Sequence, residues 1–301
     1  MEFDQNNSYF KQIQLLVKTL PYLKPYDCFG LKGGTAINIF LRDLPRLSVD
    51  IDLVYLPITN RLDANTDIIK NLFLIAKDIE KSKIAKVIIK EGDQKLIVQN
   101  TEAQVKVEVS MIRGHLLPTQ IVSVCKKVEE IIGYAEVLLL DDREIYAGKL
   151  CATLDRQHPR DLFDVTQLLL DKIIDEPLID IFLIYLMSGN RPIVELLSPN
   201  FKDISDTYHK LFIGISLKQV SLSELEATRE SLLKKIYQCM NDSHKKLLLD
   251  FKKGNINWTD CPFPKAQFLP AIKWKQINLN KMSKEKRAQA IQTLESVLTK
   301  I

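Results

Sequence analysis

The sequence has little of what marks membrane, secreted or zinc-binding proteins. No hydrophobic run approaches the roughly 20 residues of a membrane-spanning helix, and the longest, residues 179–187, is interrupted by Asp180. The five cysteines include no CxxC pair and the four histidines are scattered, which argues against a zinc site and favours reduced thiols. The first residues lack the basic and then apolar layout of a signal peptide. We therefore expect a cytoplasmic protein that contacts no membrane.

What is present fits a folded protein of one large domain or two ordinary ones. The chain has 301 residues, of which 46% are hydrophobic and 27% charged, so it can bury a sizeable core. Periodicity predicts an α/β front of about 140 residues and a mostly helical remainder. The predicted strands lie within residues 26–34, 48–56, 85–90, 95–100, 105–111 and 135–140, and the predicted front helices within 8–20, 35–43 and 66–83.

Charge is distributed unevenly along the chain, whose net charge is +4. Residues 231–301 hold 14 Lys and Arg against 5 Asp and Glu, a balance of +9, and residues 1–230 therefore carry −5. Such a basic end favours a polyanionic partner such as RNA, bound through phosphate contacts and base stacking. The alternative is a solvated lysine-rich surface whose aromatic residues pack in a core. The candidate RNA-binding residues are Lys252, Lys253, Trp258, Phe263, Lys265, Trp274 and Lys275.

Two aspartates, Asp50 and Asp52, stand in the apolar stretch SVDIDLVYL. Alternate residues of a strand share a face, so the two carboxylates point the same way while Val49, Ile51 and Leu53 point to the other side. Like charges this close repel each other unless a cation joins them, and Mg²⁺ prefers carboxylate oxygens and phosphates. The pattern predicts a magnesium site, with an edge strand carrying two solvated aspartates as the alternative.

A glycine turn precedes this strand. Gly33 and Gly34 lie between a predicted strand and a predicted helix, where backbone N–H groups approach phosphates easily. Thr35 is predicted as the helix N-cap and as a phosphate donor. A third acid, Glu108, alternates with valines in VKVEVSM, and it completes a three-carboxylate, two-metal cluster if that strand pairs with the DxD strand. Together these features resemble the DNA polymerase beta-like nucleotidyltransferase fold.

A second group of charged residues lies within residues 142–169. Lys149 is in an apolar helix, and Pro159 starts the next helix, which carries Asp161 and Asp164 on one face. Taken separately, Lys149 fits a surface lysine and the two acids fit the capping of a helix N-terminus. The apolar neighbours of Lys149 predict that Lys149→Met leaves the fold intact, and the presence of Asp161 near the same helix start predicts the same for Asp164→Asn.

Three segments in the same order resemble the AbiEii/AbiGii family of nucleotidyltransferase toxins from bacterial toxin–antitoxin and abortive-infection systems. They are LKGGTAINIF with RLSVDIDL, then AGKLCATLDRQHPRDLFDV, then SHKKLLLDFKKGNINWTDCPFP with LPAIKWKQINL. The resemblance covers most of the chain and implies an α+β fold, in which a polymerase beta-like mixed sheet with flanking helices precedes a mostly helical C-terminal region. We expect a nucleotidyltransferase domain at residues 1–175 and a helical C-terminal domain at 176–301.

The resemblance further implies a transferase that uses Mg²⁺ or Mn²⁺. It would join a nucleoside monophosphate from an NTP to an acceptor, such as a tRNA 3′ end, and release pyrophosphate. Glu108 or Asp164 would take the proton of the attacking hydroxyl. The predicted site residues are Asp50, Asp52 and Glu108 as metal ligands, Gly33, Gly34, Thr35 and Ser48 at the nucleotide phosphates, Lys149 on the triphosphate, and Asp164 with its neighbour Asp161 as later catalytic acids.

The resemblance also implies a partner. Such toxins usually come with a cognate antitoxin from the same operon, often a winged-helix regulator, and some are neutralised by Ser/Thr phosphorylation at the nucleotide site, which makes Ser48 a candidate. Two alternatives stay open: transfer to a protein or a small molecule, and a catalytically silent nucleotide-binding regulator.

Overall fold

The computed structural model describes residues 7–301, so that residues 1–6, part of the stretch considered above for a signal peptide, lie outside it. The chain forms two compact units. The first comprises residues up to Ile145 together with Ile213–Gln219, and the second comprises Tyr146–Phe212 and Val220–Ile301. This division reflects internal contacts alone, and the boundary between functional domains at residues 175 and 176 stays a prediction.

The first unit contains a mixed sheet of seven strands. They are β1 Phe29–Lys32, β2 Asp50–Tyr55, β3 Lys86–Lys90, β4 Lys95–Gln99, β5 Gln104–Val109, β6 Gln120–Ser123 and β7 Glu136–Leu139. Their order across the sheet is β3-β4-β5-β2-β1-β7-β6. The β2–β5 and β1–β7 pairs are parallel, and the other neighbours are antiparallel. The predicted mixed sheet is therefore confirmed.

Alternation of side chains explains the strands at the centre of this sheet. In β2, Ile51 and Leu53 are fully buried, while the aspartates that alternate with them, Asp50 and Asp52, are partly exposed. In β5, three buried valines alternate with Lys106 and Glu108. Burial of the aliphatic face stabilises the strands, at about 25 cal/mol for each Å² of apolar surface removed from water. The polar face is left to carry function.

Helices flank the sheet within the first unit. The N-terminal helix α1 spans Ser8–Thr19, and a short turn of helix, α2 at Gly33–Thr35, continues as a π-helix over Ala36–Leu41. The long amphipathic helix α3, Arg61–Lys81, is capped by the side chain of Asn60 and packs on β3 and β4. α4 is a short helix at Lys126–Ile131.

Two elements of the first unit escaped the sequence analysis: β6 and α4. Three of the four β6 residues are exposed and one is half-buried, so this edge strand shows no alternation of apolar and polar residues. Helix α4 has only six residues and buries one of them, Val128. Short elements that bury little leave no periodic signal in a sequence.

The second unit is helical, as predicted. Its helices are α5 Asp142–Arg156, which the division between the units crosses, α6 Pro159–Leu170, α7 Glu176–Ser188, α8 Ile193–Leu197, α9 Ser205–Leu211, α10 Leu222–Cys239, α11 Asp242–Lys253, α12 Pro270–Lys281 and α13 Lys284–Leu298. Helix α7 is buried on most of its faces and packs against α11 and α12, and α6 packs against α10. Within residues 7–301, no helix combines the length and the apolar character needed to cross a membrane.

Candidate functional site

The glycine turn lies directly against the second aspartate of the DxD strand. β1 and β2 are antiparallel neighbours, with Lys32 opposite Asp52. The next residue, Gly33, has a φ of +76°, in the left-handed region that glycine adopts most easily. A Cβ atom at Gly33 would also overlap Asp52 Oδ2. Both conformation and space therefore require glycine here, and the turn brings backbone close to a carboxylate.

Thr35 and Ser48 connect the turn to the start of the DxD strand. Thr35 is fully buried, and its hydroxyl donates to the backbone carbonyl of Asp50 at 2.5 Å and lies 3.1 Å from Ser48 Oγ. The prediction of Thr35 as the helix N-cap is wrong, because the helix already begins at Gly33 and Lys32 occupies the N-cap position. Ser48 is buried as well, so a modifying enzyme would have to open the turn to reach it. Contact of either hydroxyl with nucleotide phosphates stays a prediction.

Arg46 is a further residue of this turn, and the sequence analysis did not single it out. It is buried, and its Nη1 donates to the carbonyl of Leu47 at 3.0 Å. A Cβ atom at Gly34 would come within 2.8 Å of Arg46 Nη2 and 3.0 Å of Ser48 Oγ, so the missing side chain of Gly34 makes room for the guanidinium. Arginine suits phosphate recognition because its charge is permanent and its donors are fixed in a plane. A single arginine after a proline gives no sequence signal of such a position.

The third predicted acid lies on the strand beside the DxD strand. β5 pairs with β2 in parallel, with Lys106 beside Asp50 and Glu108 beside Asp52. The pairing on which the three-carboxylate prediction depended is therefore confirmed. Asp50 and Glu108 expose 40% and 35% of their side chains, so both are open to a ligand from solvent.

Two lysines hold Glu108 in this structure. Lys95 Nζ, on the neighbouring strand β4, lies 2.7 Å from Glu108 Oε1, and Lys106 Nζ lies 3.5 Å from the same oxygen. Lys106 Nζ also lies 3.9 Å from Asp50 Oδ1. Partial burial raises the pKa of Glu108, but the two lysines outweigh it and bring the pKa below its ordinary value. Glu108 is therefore ionised and already paired at neutral pH.

The two aspartates fit Mg²⁺ as donors, although the three acids are not gathered into one metal cluster. Among residues 7–301, no three His, Cys, Asp or Glu side chains are placed to hold a metal ion. The predicted three-carboxylate cluster is thus not assembled, since Glu108 is directed to its lysines. Mg²⁺ in nucleotide sites commonly takes one or two carboxylates together with substrate phosphates. Asp50 and Asp52 supply that pair, and Glu108 as a metal ligand stays a prediction.

Removing Lys106 should strengthen metal binding. We expect Lys106→Met to bind Mn²⁺ about 3- to 10-fold more tightly in the absence of NTP, because an ammonium beside two partly exposed carboxylates opposes a second cation by about 1 kcal/mol. Titration followed by Mn²⁺ electron paramagnetic resonance measures the change. Lys86→Met, an exposed lysine on the edge strand β3, is the matched control and should leave affinity unchanged. Equal Mn²⁺ affinities in wild type and both variants would show that Lys106 does not compete with the metal for the carboxylates.

The second unit holds the other predicted charged group as a buried ion-pair cluster. Lys149 Nζ on α5 lies 2.9 Å from Asp161 Oδ1 and 2.8 Å from Asp164 Oδ2, both on α6. Lys149 exposes only 4% of its side chain and the two acids even less. Arg156 adds two bonds to Asp161, its Nε to Oδ2 at 2.5 Å and its Nη2 to Oδ1 at 2.9 Å. The structure therefore brings together the three residues that the sequence analysis grouped.

One of the two simpler interpretations of these residues is wrong, and the other is incomplete. Lys149 is not a surface lysine, since its ammonium is buried between two carboxylates. The α6 N-cap is His158, whose ring nitrogen accepts from the backbone N–H of Arg160, while Asp161 lies in the first turn, where an acid is favoured, and also forms the ion pairs described above. Burial raises the pKa of Asp161, but Lys149 and Arg156 outweigh it and hold the pKa well below its ordinary value. Lys149 and Arg156 therefore stabilise the ionised form of Asp161 despite its burial.

The lowered pKa of Asp161 makes stability depend on acid. An acid whose folded pKa lies below its unfolded value of about 3.9 stabilises the fold above that pH, and the contribution is lost as the pH falls through the folded pKa. We expect the free energy of unfolding in urea to fall between pH 5 and pH 2.5, and to fall less steeply in Asp161→Asn. Asp206→Asn, at an exposed position, is the control and should keep the wild-type slope. Equal slopes in Asp161→Asn and wild type would contradict the assignment.

Comparison with known proteins agrees with this architecture. The sequence profile described as nucleotidyl transferase AbiEii toxin of a type IV toxin–antitoxin system matches residues 14–263. Among solved structures, the chain is similar to MenT4, a nucleotidyltransferase toxin from Mycobacterium tuberculosis, with a TM-score of 0.58 and 17% identity over 90% of this chain and 94% of that chain. At that identity the likeness establishes the fold. Curated protein sequences gave no significant match.

Fold and sequence together define the class, a nucleotidyltransferase with a mixed sheet, flanking helices and a helical C-terminal region. Since the family profile covers most of the chain, the protein belongs to the AbiEii family of nucleotidyltransferase toxins of type IV toxin–antitoxin systems. Its family activity is nucleotidyl transfer, which takes an NTP as substrate. A toxin of such a system has a cognate antitoxin.

Proposed function

We propose that the protein transfers a nucleoside monophosphate from an NTP to the 3′ end of a tRNA and requires Mg²⁺, for which Mn²⁺ can substitute. The observation that carries the proposal is the same-face pair Asp50 and Asp52 directly beside the glycine turn. A pair of carboxylates beside a glycine turn suits a metal-bound triphosphate, because the carboxylates can bind the metal and the backbone N–H groups of the turn can approach the phosphates. Because NTPs and tRNA are cytoplasmic, the proposal places the protein in the cytoplasm.

In the reaction, the 3′-hydroxyl oxygen of the acceptor forms a bond to the α-phosphorus of the NTP. The bond between that phosphorus and the β-phosphate oxygen breaks, and pyrophosphate leaves with the bonding electrons. The hydroxyl proton passes to a carboxylate, for which Glu108 and Asp164 are the candidates. When bound, Mg²⁺ supplies charge stabilisation for the phosphoryl oxygens and the leaving group.

Residues of the first unit would hold the nucleotide. Asp50 and Asp52 would bind the metal, with Glu108 available once it leaves its lysines. The glycine turn, Gly33 and Gly34, would offer backbone N–H groups to the phosphates. The remaining nucleotide contacts of this unit are assigned to Thr35 and Ser48, which are already joined to each other and to the backbone of β2.

The roles proposed in the second unit rest on the family resemblance. Lys149 would bind the triphosphate, and Asp164, with Asp161, would serve as the later acid. In this structure Lys149, Asp161 and Asp164 form a buried ion-pair cluster. Lys149 or Asp164 must therefore give up an ion pair within the cluster before it can contact the substrate. A positively charged group released toward pyrophosphate would stabilise the charge that builds on the leaving group.

The cognate antitoxin is proposed to be a winged-helix regulator encoded beside the toxin. Incubation of the purified protein with each α-labelled NTP, total RNA and a protein extract tests the acceptor. Label in RNA supports the proposal. Label in protein or in a small molecule would move the activity to another acceptor, and the absence of any label with Mg²⁺ or Mn²⁺ would favour a silent nucleotide-binding regulator.

A further inference from the structure

Three partly buried cations from three helices lie together in the second unit. They are Lys252 at the end of α11, Lys275 in α12 and Arg287 in α13, whereas most lysines of these helices are exposed. Arg287 Nε donates to the backbone carbonyl of Lys252 at 3.4 Å, and Lys275 Nζ donates to the carbonyl of Asn190 at 3.4 Å. A Cβ atom on Gly254 would overlap Arg287 Nη2, so this glycine leaves room for the guanidinium beside the helix end.

These three cations carry no internal counter-charge. Among residues 7–301, no carboxylate forms an ion pair with Lys252, Lys275 or Arg287. The neighbouring acids are engaged elsewhere, since Lys253 pairs with Glu295 at 3.4 Å and Asp250 with Lys246 at 3.6 Å.

Burial and mutual repulsion lower the pKa of both lysines. Burial and then the charge of Arg287 lower the pKa of Lys252, and burial and then the charge of Lys252 lower the pKa of Lys275. Partly desolvated like charges repel each other, and a bound anion would relieve the repulsion.

Exposed aromatic rings flank the same helices. Trp274, adjacent to Lys275, is 52% exposed, and Phe268 is 50% exposed with Lys273 Nζ 5.7 Å from the centre of its ring. Of the aromatic residues predicted to bind RNA, Trp258 instead packs edge-on against Phe251, with ring centres 6.4 Å apart. Solvent-facing rings on helices whose cations have no carboxylate partner suit a nucleic acid, because bases stack on rings while phosphates bind the charges.

We infer that Lys252, Lys275 and Arg287 form a phosphate-binding site for the backbone of the RNA acceptor, with Trp274 as a stacking surface. The inference rests on the proposed function, since it names where that RNA is held. Lys252 lies inside the family match, and Lys275 and Arg287 lie beyond residue 263, where that match ends.

Two adjacent lysines provide the test. Lys252→Met and Lys253→Met each remove one charge and keep the side-chain stem, but only Lys252 belongs to the cluster. Binding of bulk tRNA, without NTP, is measured by fluorescence anisotropy from 0.05 to 0.3 M salt. We expect Lys252→Met and Arg287→Met each to weaken binding about 5- to 10-fold at 0.15 M salt and to reduce the logarithmic salt slope by about one. The sequence placed Lys253 among the candidate RNA-binding residues, but in the structure it is exposed and pairs with Glu295, so Lys253→Met should change affinity less than about twofold.

Stability provides a second readout. Removing a charge from a repelling cluster should leave the melting temperature of Lys252→Met at or above that of wild type, so weakened binding would not reflect unfolding. Inorganic phosphate should raise the melting temperature of wild type more than that of Lys252→Met. Equal phosphate effects in the two proteins would overturn the site.

The remaining outcomes separate this inference from the proposed function. Labelling of tRNA by wild type, together with wild-type affinity in Lys252→Met, would overturn the site and leave the proposed function standing. Binding of tRNA that depends on Lys252 without any labelling would support the site and overturn the proposed function. Tighter binding of a polyglutamate peptide than of tRNA, lost in the same variants, would replace RNA by an acidic protein partner and so overturn the assignment.

Discussion

Asp50→Asn should lower the transfer of label from NTP to RNA by about a thousandfold while the protein stays folded. Asparagine keeps the shape of the side chain and removes the charge that the metal needs. The structure also explains why the fold should survive. Asp50 is partly exposed, its only ion pair, among residues 7–301, is a distant one with Lys106, and its buried contact runs through its backbone carbonyl, which the variant retains.

The matched control is Asp27→Asn, an exposed acid in the same unit, which should keep full activity. Thermal unfolding should place Asp50→Asn within a few degrees of wild type, since surface ion pairs contribute at most about 1 kcal/mol. Transfer by Asp50→Asn at the wild-type rate would remove the DxD pair from the active site. A large fall in melting temperature would instead show that Asp50 supports the fold.

Lys149→Met should destabilise the protein by roughly 3–5 kcal/mol, because removing one partner of a buried ion pair leaves buried charge behind. From the sequence alone we expected this variant to stay folded. The burial of the ammonium between Asp161 and Asp164 reverses that expectation. Urea unfolding at pH 7 measures the loss.

A double variant separates the structural from the catalytic role. Arg156 still pairs with Asp161 when Lys149 is replaced, whereas Asp164 loses its ion pair with Lys149. Lys149→Met combined with Asp164→Asn removes both charges, and we expect it to regain at least half of the lost stability. If this folded double variant still transfers label at the wild-type rate, the cluster serves the fold alone. Loss of transfer in the folded double variant would support the catalytic role.

The sequence predicted the sheet where burial alternates with polarity. Residues 48–56 and 105–111 each combine an aliphatic face with a charged face, and the structure pairs these two strands, which was the condition for placing Glu108 near the two aspartates. The failures have equally local causes. The β6 strand buries little and so leaves no alternating pattern. Thr35 was predicted as the helix N-cap, but the helix begins two residues earlier, at Gly33, which has a positive φ.

The sequence was enough to propose the acids of the candidate site, but not the lysines that pair with them. Asp50, Asp52 and Glu108 were found by strand alternation, but pairing across strands decides which lysines face them. Lys95 and Lys106 reach Glu108 from two different strands, a contact that depends on register and leaves no local motif. Burial is likewise a tertiary property, so the isolation of Lys149 from solvent could not be read from its helix alone.

The most direct test of nucleotidyl transfer to RNA is intact-mass analysis of purified tRNA after incubation with the protein, Mg²⁺ and each NTP in turn. The 3′ end is the proposed acceptor, so tRNA oxidised with periodate, which lacks an intact 3′-terminal diol, serves as the control substrate. We expect wild type to add one or more nucleotide residues to untreated tRNA and none to oxidised tRNA, and Asp50→Asn to add none to either. Equal addition to oxidised tRNA, or addition by Asp50→Asn at the wild-type level, would contradict the account.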